Sequence, residues 1–213
     1  MNSPDKIVCI GKNYSEHAQE LGDAVPERPV LFLKPLSVLR TAKAGETLSL
    51  TLPAYRSSIH HECEIVLRIK GGGYRLSSEQ AGASIDAVSV GLDMTLRDLQ
   101  SNLKKNGHPW TVAKVFPDAA VVGPWISVGE FPDWSKAPFT FSVNGKVVQQ
   151  GRATEMTFSP ADCVALASEF FPLCDGDLLF TGTPKGVGPV KEGDKAQLEF
   201  GPLKYSVQWK GGV

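Results

Sequence analysis

His60-His61-Glu62-Cys63-Glu64 runs straight into Ile65, Val66, Leu67 and Ile69, apolar residues that read as the interior of a strand. Side chains two apart in a strand share a face, so Glu62 and Glu64 point the same way, roughly 7 Å apart along the chain. Two carboxylates facing together beside a buried sheet repel each other and lose hydration. A proton, a basic side chain or a metal ion between them must offset that cost, and the spacing alone leaves all three open. A third acid, Asp93, ends the apolar run Val88, Val90, Leu92 on the opposite parity from those residues. Three carboxylates from two strand ends suit a hard divalent cation such as Mg²⁺ or Mn²⁺ better than zinc, which would recruit Cys and His. Glu-x-Glu on a strand is more often a solvated face, so the rest of the chain has to decide.

With 213 residues the chain can build one substantial core or two small ones. Fifteen prolines, twenty-one glycines and many short apolar runs favour a strand-rich, turn-rich architecture over a helical bundle. The formal net charge is −1 and no basic block stands out, so nothing calls for nucleic acid or an anionic membrane. Cys9, Cys63, Cys163 and Cys174 lie scattered among apolar neighbours without a C-x-x-C pair, which predicts free, mostly buried thiols in a reducing compartment. The N-terminus carries no apolar signal region or Arg-rich transit pattern, and no uncharged apolar run is long enough to span a bilayer. The expectation is a soluble, cytoplasmic protein.

Along the chain, Lys6 to Ile10 reads as a strand. Asn13 then offers a cap for a short helix with Glu16 in the capping-box position. On that helix Tyr14, Ala18 and Leu21 share a face, while His17 and Glu20 are surface neighbours three residues apart. A carboxylate that orients an imidazole and raises its basicity makes a general base, although the same pair is commonly an ordinary surface contact. Val30 to Leu33 and the alternating Leu48, Leu50, Leu52 predict further strands, and Ser77 or Ser78 starts a helix through Ile85. A helix opening at Thr95-Leu96-Arg97-Asp98 turns Leu96, Leu99 and Leu103 inward and Arg97, Gln100 and Lys104 to other faces. Lys114 follows an apolar stretch, where a buried lysine needs an anionic partner and a surface one merely snorkels. Phe139 to Val143, Asn144-Gly145 and Lys146-Val147-Val148 spell a hairpin with a type I′ turn. Ser159-Pro160-Ala161-Asp162 starts a helix through Phe171. The Gly-rich segment Thr181 to Gly188 fails the P-loop test because it runs into Pro189 and another strand pattern, but its amides and the Thr183 hydroxyl suit a small anion. Ala196 to Phe200 and Tyr205 to Trp209 complete the strands.

Taken together, Gly11-Lys12-Asn13-Tyr14 with His17 and Glu20, the His60 to Glu64 stretch, Gly91 to Gln100, Lys114, Val143-Asn144-Gly145 and Gly182 to Gly188 resemble the fumarylacetoacetate hydrolase family. The likeness covers nearly the whole chain in order. Lys104 to Thr111 followed by Ala113-Lys114 is most similar to the short, single-domain branch of acylpyruvases that also decarboxylate oxaloacetate. The resemblance implies an α+β, strand-rich mixed β-roll with short flanking helices, one catalytic domain over residues 1–213 and a homodimer. It further implies Glu62, Glu64 and Asp93 as ligands to Mg²⁺ or Mn²⁺. Lys114, Arg97, Gln100 and Thr183 fall where the family contacts substrate, and His17 with Glu20 fall on its mobile lid helix. A small 2-oxo acid would then be cleaved at C3–C4 through a pyruvate enolate stabilised by the metal and Lys114. His17 would activate water for an acylpyruvate, whereas oxaloacetate would need no nucleophile. An isomerase or hydratase of a dienoate, and a non-catalytic metal-binding β module, are the alternatives.

Overall fold

The computed structural model describes residues 4–20, 28–54 and 58–212, with the side chains of residues 17–19 outside the description. The apolar run after Glu62 becomes β6 (Cys63–Ile69), antiparallel to β7 (Ile85–Asp93). Ile65, Val66, Leu67, Val88 and Val90 are all fully buried, so both faces of these strands are covered and the sequence shows a continuous run rather than alternation. Around this pair the larger sheet runs β2 (Val30–Lys34), β1 (Ile7–Gly11), β13 (Leu178–Phe180), β6, β7, β9 (Ala120–Val122), β3 (Leu39–Thr41), with β10 (Ile126–Ser127) paired to β7. It is mixed: β1 lies parallel to β13 and antiparallel to β2.

A second sheet runs β12 (Lys146–Gly151), β11 (Phe139–Val143), β15 (Lys195–Phe200), β16 (Leu203–Gly211), β4 (Thr47–Leu52). Its apolar side adds Phe139, Phe141, Leu198, Phe200 and Tyr205 to the core. Tyr205 donates to the carbonyl of Val90 across the two sheets at 3.0 Å. Gly123 permits that approach, because a Cβ there would lie 2.4 Å from the tyrosine ring. A small third sheet, β14 (Gly188–Pro189), β5 (Ile59–His61), β8 (Thr95–Leu96), joins the Gly-rich loop to the acid-bearing stretch. The result is the strand-rich α+β architecture expected, with five short helices among the described residues: α1 (Ser15–Glu20), α2 (Ser78–Ala83), α3 (Arg97–Lys105), α4 (Thr111–Lys114) and α5 (Pro160–Phe170).

Local expectations hold where a turn or cap dictates them. Asn144 and Gly145 adopt φ of 50° and 82°, the left-handed pair a type I′ hairpin needs. Ser159 caps α5 reciprocally with Asp162, and Ser77 caps α2 with Gln80. Four readings need correction. Thr95 and Leu96 form β8, so the helix expected to open at Thr95 begins at Arg97. The helix from Ser77 ends at Ala83, since Ile85 is taken by β7. The His60 to Glu64 stretch is two strands, with Glu62 at the break between β5 and β6. Asn13 does not cap α1; its amide donates to the carbonyls of Phe158 and Thr181 and accepts from the N–H of Phe158, tying three distant segments together. The expected face of Tyr14, Ala18 and Leu21 cannot be traced in full, because Leu21 and the Ala18 side chain lie outside the described residues. Cys9, Cys63 and Cys163 are buried and free as expected, but Cys174 is exposed.

Candidate metal and enolate site

The β6–β7 ladder puts Cys63 opposite Leu92 and Glu64 opposite Gly91, and Asp93 continues it by donating its N–H to the Glu62 carbonyl at 2.9 Å. Residues directly opposite in an antiparallel pair share a face, and so do residues two apart, so all three acids converge. One oxygen from each of Glu62, Glu64 and Asp93 lies within 4.8 Å of the others, and each residue is at most 5 % exposed.

Three cations answer them. Lys114 is delivered by the last turn of α4 and donates to Glu62 Oε2 at 2.8 Å and Asp93 Oδ2 at 2.6 Å. Burial alone lowers the pKa of Lys114, but Asp93 and Glu62 more than reverse this and hold it above the ordinary lysine range. Lys34, at the end of β2, pairs with Asp93 Oδ1 at 2.5 Å and donates to the carbonyls of Ala119 and Met94. Arg97, opening α3, pairs with Glu62 and donates to Gln100 at 2.6 Å. Glu64 is the outlier: it accepts from the Gly182 N–H at 2.7 Å, yet burial and the neighbouring Asp93 and Glu62 push its pKa well above the carboxylate range. Among the described residues no ammonium or guanidinium lies within ion-pair distance of Glu64, unlike Glu62 and Asp93. An all-oxygen, buried, acid-rich donor set with that deficit fits a hard divalent cation.

The three acids line one pocket. Lys12, Arg97, Lys104, Lys114, Phe32 and Trp110 line it with them, and the Lys114 ammonium lies 4.9 Å from the centre of the Phe32 ring. Gln100 and Thr183, expected at the substrate, also line it. Glu20 is exposed, and both its oxygens accept from the Gly186 N–H at 3.1 Å, which docks α1 against the Gly-rich loop. His17 lies on α1, but its side chain is outside the description, so its relation to Glu20 and the pocket is not described.

Lys34 directly follows the Val30 to Leu33 strand, and the sequence reading gives it no role. It carries the same signal that drew attention to Lys114, a lysine directly after an apolar run, and the two form matching pairs with the two oxygens of Asp93. Gln149 had no signal at all: nothing in Val147-Val148-Gln149-Gln150 separates the buried amide from the exposed one beside it.

Residues 6–208 match the model of the fumarylacetoacetate (FAA) hydrolase C-terminal domain. The chain belongs to the fumarylacetoacetate hydrolase family. Among relatives in that family, oxaloacetate tautomerase YcgM of Escherichia coli (strain K12) is 39 % identical over 196 residues, covering 92 % of this chain and 88 % of that protein. The human mitochondrial oxaloacetate tautomerase FAHD1 is 40 % identical over 194 residues, covering 90 % and 85 %. The crystal structure of fumarylpyruvate hydrolase from Pseudomonas aeruginosa, in complex with Mn²⁺ and pyruvate, superposes with a TM-score of 0.93 at 35 % identity, covering 98 % of this chain and 91 % of that one. This family of hydrolases and isomerases makes the chain an enzyme, and its buried acidic triad could hold a divalent metal. No helix among the described residues is long and apolar enough to cross a membrane.

Proposed function

We propose that the chain forms the C3 enolate of small 2-oxo acids and that its principal reaction is keto–enol interconversion of oxaloacetate. The observation that carries this reading is the convergence of Glu62, Glu64 and Asp93 on one pocket, with Glu62 and Asp93 paired to Lys114, Lys34 and Arg97. The names of the relatives, oxaloacetate tautomerases at 39 % and 40 % identity, support the choice of substrate. In this reading Glu62, Glu64 and Asp93 hold Mg²⁺ or Mn²⁺. When bound, the ion supplies the Lewis acidity that acidifies C3 of a chelating 2-oxo acid. Arg97 and Gln100 hold a substrate carboxylate, their mutual bond fixing the guanidinium plane. Lys114 stabilises the negative charge that develops on the enolate oxygen, a role that strengthens as charge accumulates. His17, oriented by Glu20, takes the C3 proton, Lys114 gives a proton to the C2 oxygen to complete the enol, and solvent carries the His17 proton back to Lys114. Phe32 and Trp110 keep water from the carbanion face. The active unit is a homodimer, which light scattering would test by returning twice the chain mass.

A second reading is cleavage of the C3–C4 bond, either hydrolysis of an acylpyruvate or decarboxylation of oxaloacetate, favoured by the likeness to fumarylpyruvate hydrolase. All these reactions share the enolate. Hydrolysis alone also needs an activated water, which would fall to His17.

Two assays on one sample separate the readings. Oxaloacetate presented as the enol loses its ultraviolet absorption as it ketonises, and pyruvate is followed by a coupled dehydrogenase. Accelerated ketonisation without matching pyruvate supports the first reading. Pyruvate released at the rate of substrate loss would replace it with the second.

A further inference from the structure

Gln149 is 1 % exposed, and its side-chain amide is fully committed. Its Oε1 accepts from the Cys63 N–H at 3.0 Å and lies 2.9 Å from Nδ1 of His61. Its Nε2 donates to Oγ1 of Thr183 at 2.8 Å and to the Pro184 carbonyl at 2.9 Å. The partners themselves fix which end is which, because a backbone N–H only donates and a carbonyl only accepts. His61 must therefore carry its proton on Nδ1.

The consequence for Thr183 is sharper. A hydroxyl has one proton and two lone pairs. One lone pair receives Gln149, so the proton has to go to another partner, and the Cys63 carbonyl accepts it at 2.8 Å. A single lone pair remains, on a residue that lines the pocket of the three acids.

We propose that Gln149 fixes Thr183 as a hydrogen-bond acceptor toward the pocket, so that Thr183 receives the C2 hydroxyl of the enol instead of donating to a substrate carboxylate. This rests on the enol-forming reading above and deepens it. A carboxylate oxygen, which has no proton to offer, would meet lone pair with lone pair there, whereas the C2 oxygen does so only until it takes its proton. The enol hydroxyl is the one donor that the reacting half of the substrate offers, and it exists in only one of the two tautomers. Gln149 is thus a positioning residue that acts through Thr183, and together they distinguish enol from keto form.

The test uses the Mg²⁺-loaded protein with Thr183→Val, Thr183→Ser and Gln149→Met. The first arm is calorimetric binding of oxalate, a planar dianion that offers acceptors only. Thr183→Val should bind it within about twofold of wild type, whereas loss of a donor to an anion would weaken it by about tenfold or more. The second arm is the kinetics of oxaloacetate in both directions. Thr183→Val should raise KM for the enol about tenfold with kcat held, and lower kcat from the keto form by the same factor at unchanged KM, as a fixed equilibrium constant requires. Thr183→Ser should restore the enol KM. Gln149→Met should reproduce the valine pattern, and the double variant should lose nothing further. Weakened oxalate binding, or an unmoved enol KM, overturns the proposal. If Gln149→Met does not fold, the two Thr183 variants still decide the polarity. A protein without activity on oxaloacetate would fail the functional reading, while the oxalate arm would still decide what Thr183 presents.

Discussion

Lys114 is held by two carboxylates that would leave it, in part, once a cation of higher charge entered, and its ammonium would then face the substrate oxygen. Replacing it with methionine keeps the length of the stem and removes the charge. Lys114→Met should lower kcat for every 2-oxo acid the enzyme turns over, with a smaller effect on KM, because the charge it answers is greatest in the transition state. Steady-state kinetics on oxaloacetate and an acylpyruvate check this; near-normal kcat on both would make Lys114 a structural lysine. At the same scale, the thiols divide by burial. Burial holds Cys9 and Cys63 well above the ordinary thiol range and Cys163 at about 12, and only the thiolate reacts. A disulfide reagent at pH 8 should titrate one rapid thiol, Cys174, in the native protein and four after unfolding. More than one rapid thiol in the native state would contradict the packing. Individual residues were unevenly legible in the sequence. Three acids with strand parity could be found because periodicity puts them on a face. Gln149 could not, because its importance comes from partners 34 and 86 residues away along the chain.

Elements depend on residues that join them. Asn13 links the end of β1 to the start of α5 and the end of β13 through three bonds to backbone groups, and its amide also donates to Cys163 Sγ at 3.3 Å. Asn13→Ala should cost about 3 kcal/mol, since it orphans buried carbonyls and an N–H. Asn13→Asp should be no better, because a carboxylate cannot donate to the carbonyls of Phe158 and Thr181. Urea unfolding measures both, and a loss below about 1 kcal/mol would show that water replaces the amide. The sequence presented Asn13 as a helix cap because Asn is favoured there locally. Tertiary bonding overrode that preference, as it also ended α2 early to give Ile85 to β7. The hairpin at Asn144-Gly145 and the start of α5 were legible because their chemistry is local: positive φ in one, and a Ser-Pro-x-Asp cap in the other. The short strands β3, β9 and β14 escaped notice, being two or three residues long and defined by their neighbours.

At the scale of the whole molecule, a divalent ion held by the acid cluster would couple stability to metal. A divalent ion at a hundredfold its dissociation constant should raise stability by roughly 2.7 kcal/mol, seen as a higher melting temperature than in EDTA. Glu64 sets the sign of the pH effect. Burial and the neighbouring Asp93 and Glu62 raise its pKa, so an incoming cation competes with a proton there, affinity should fall on acidification, and binding should release protons. Titration calorimetry in two buffers of different ionisation enthalpy would detect the release; no buffer dependence would mean Glu64 is already ionised. The central claim, that these residues make a 2-oxo acid enolate, is tested most directly by proton NMR of oxaloacetate in D₂O with Mg²⁺. The account predicts that the protein accelerates loss of the C3 proton signal beyond Mg²⁺ alone, and that EDTA or Lys114→Met abolishes the acceleration. Exchange at the rate of Mg²⁺ alone, with folded wild-type protein present, would contradict it.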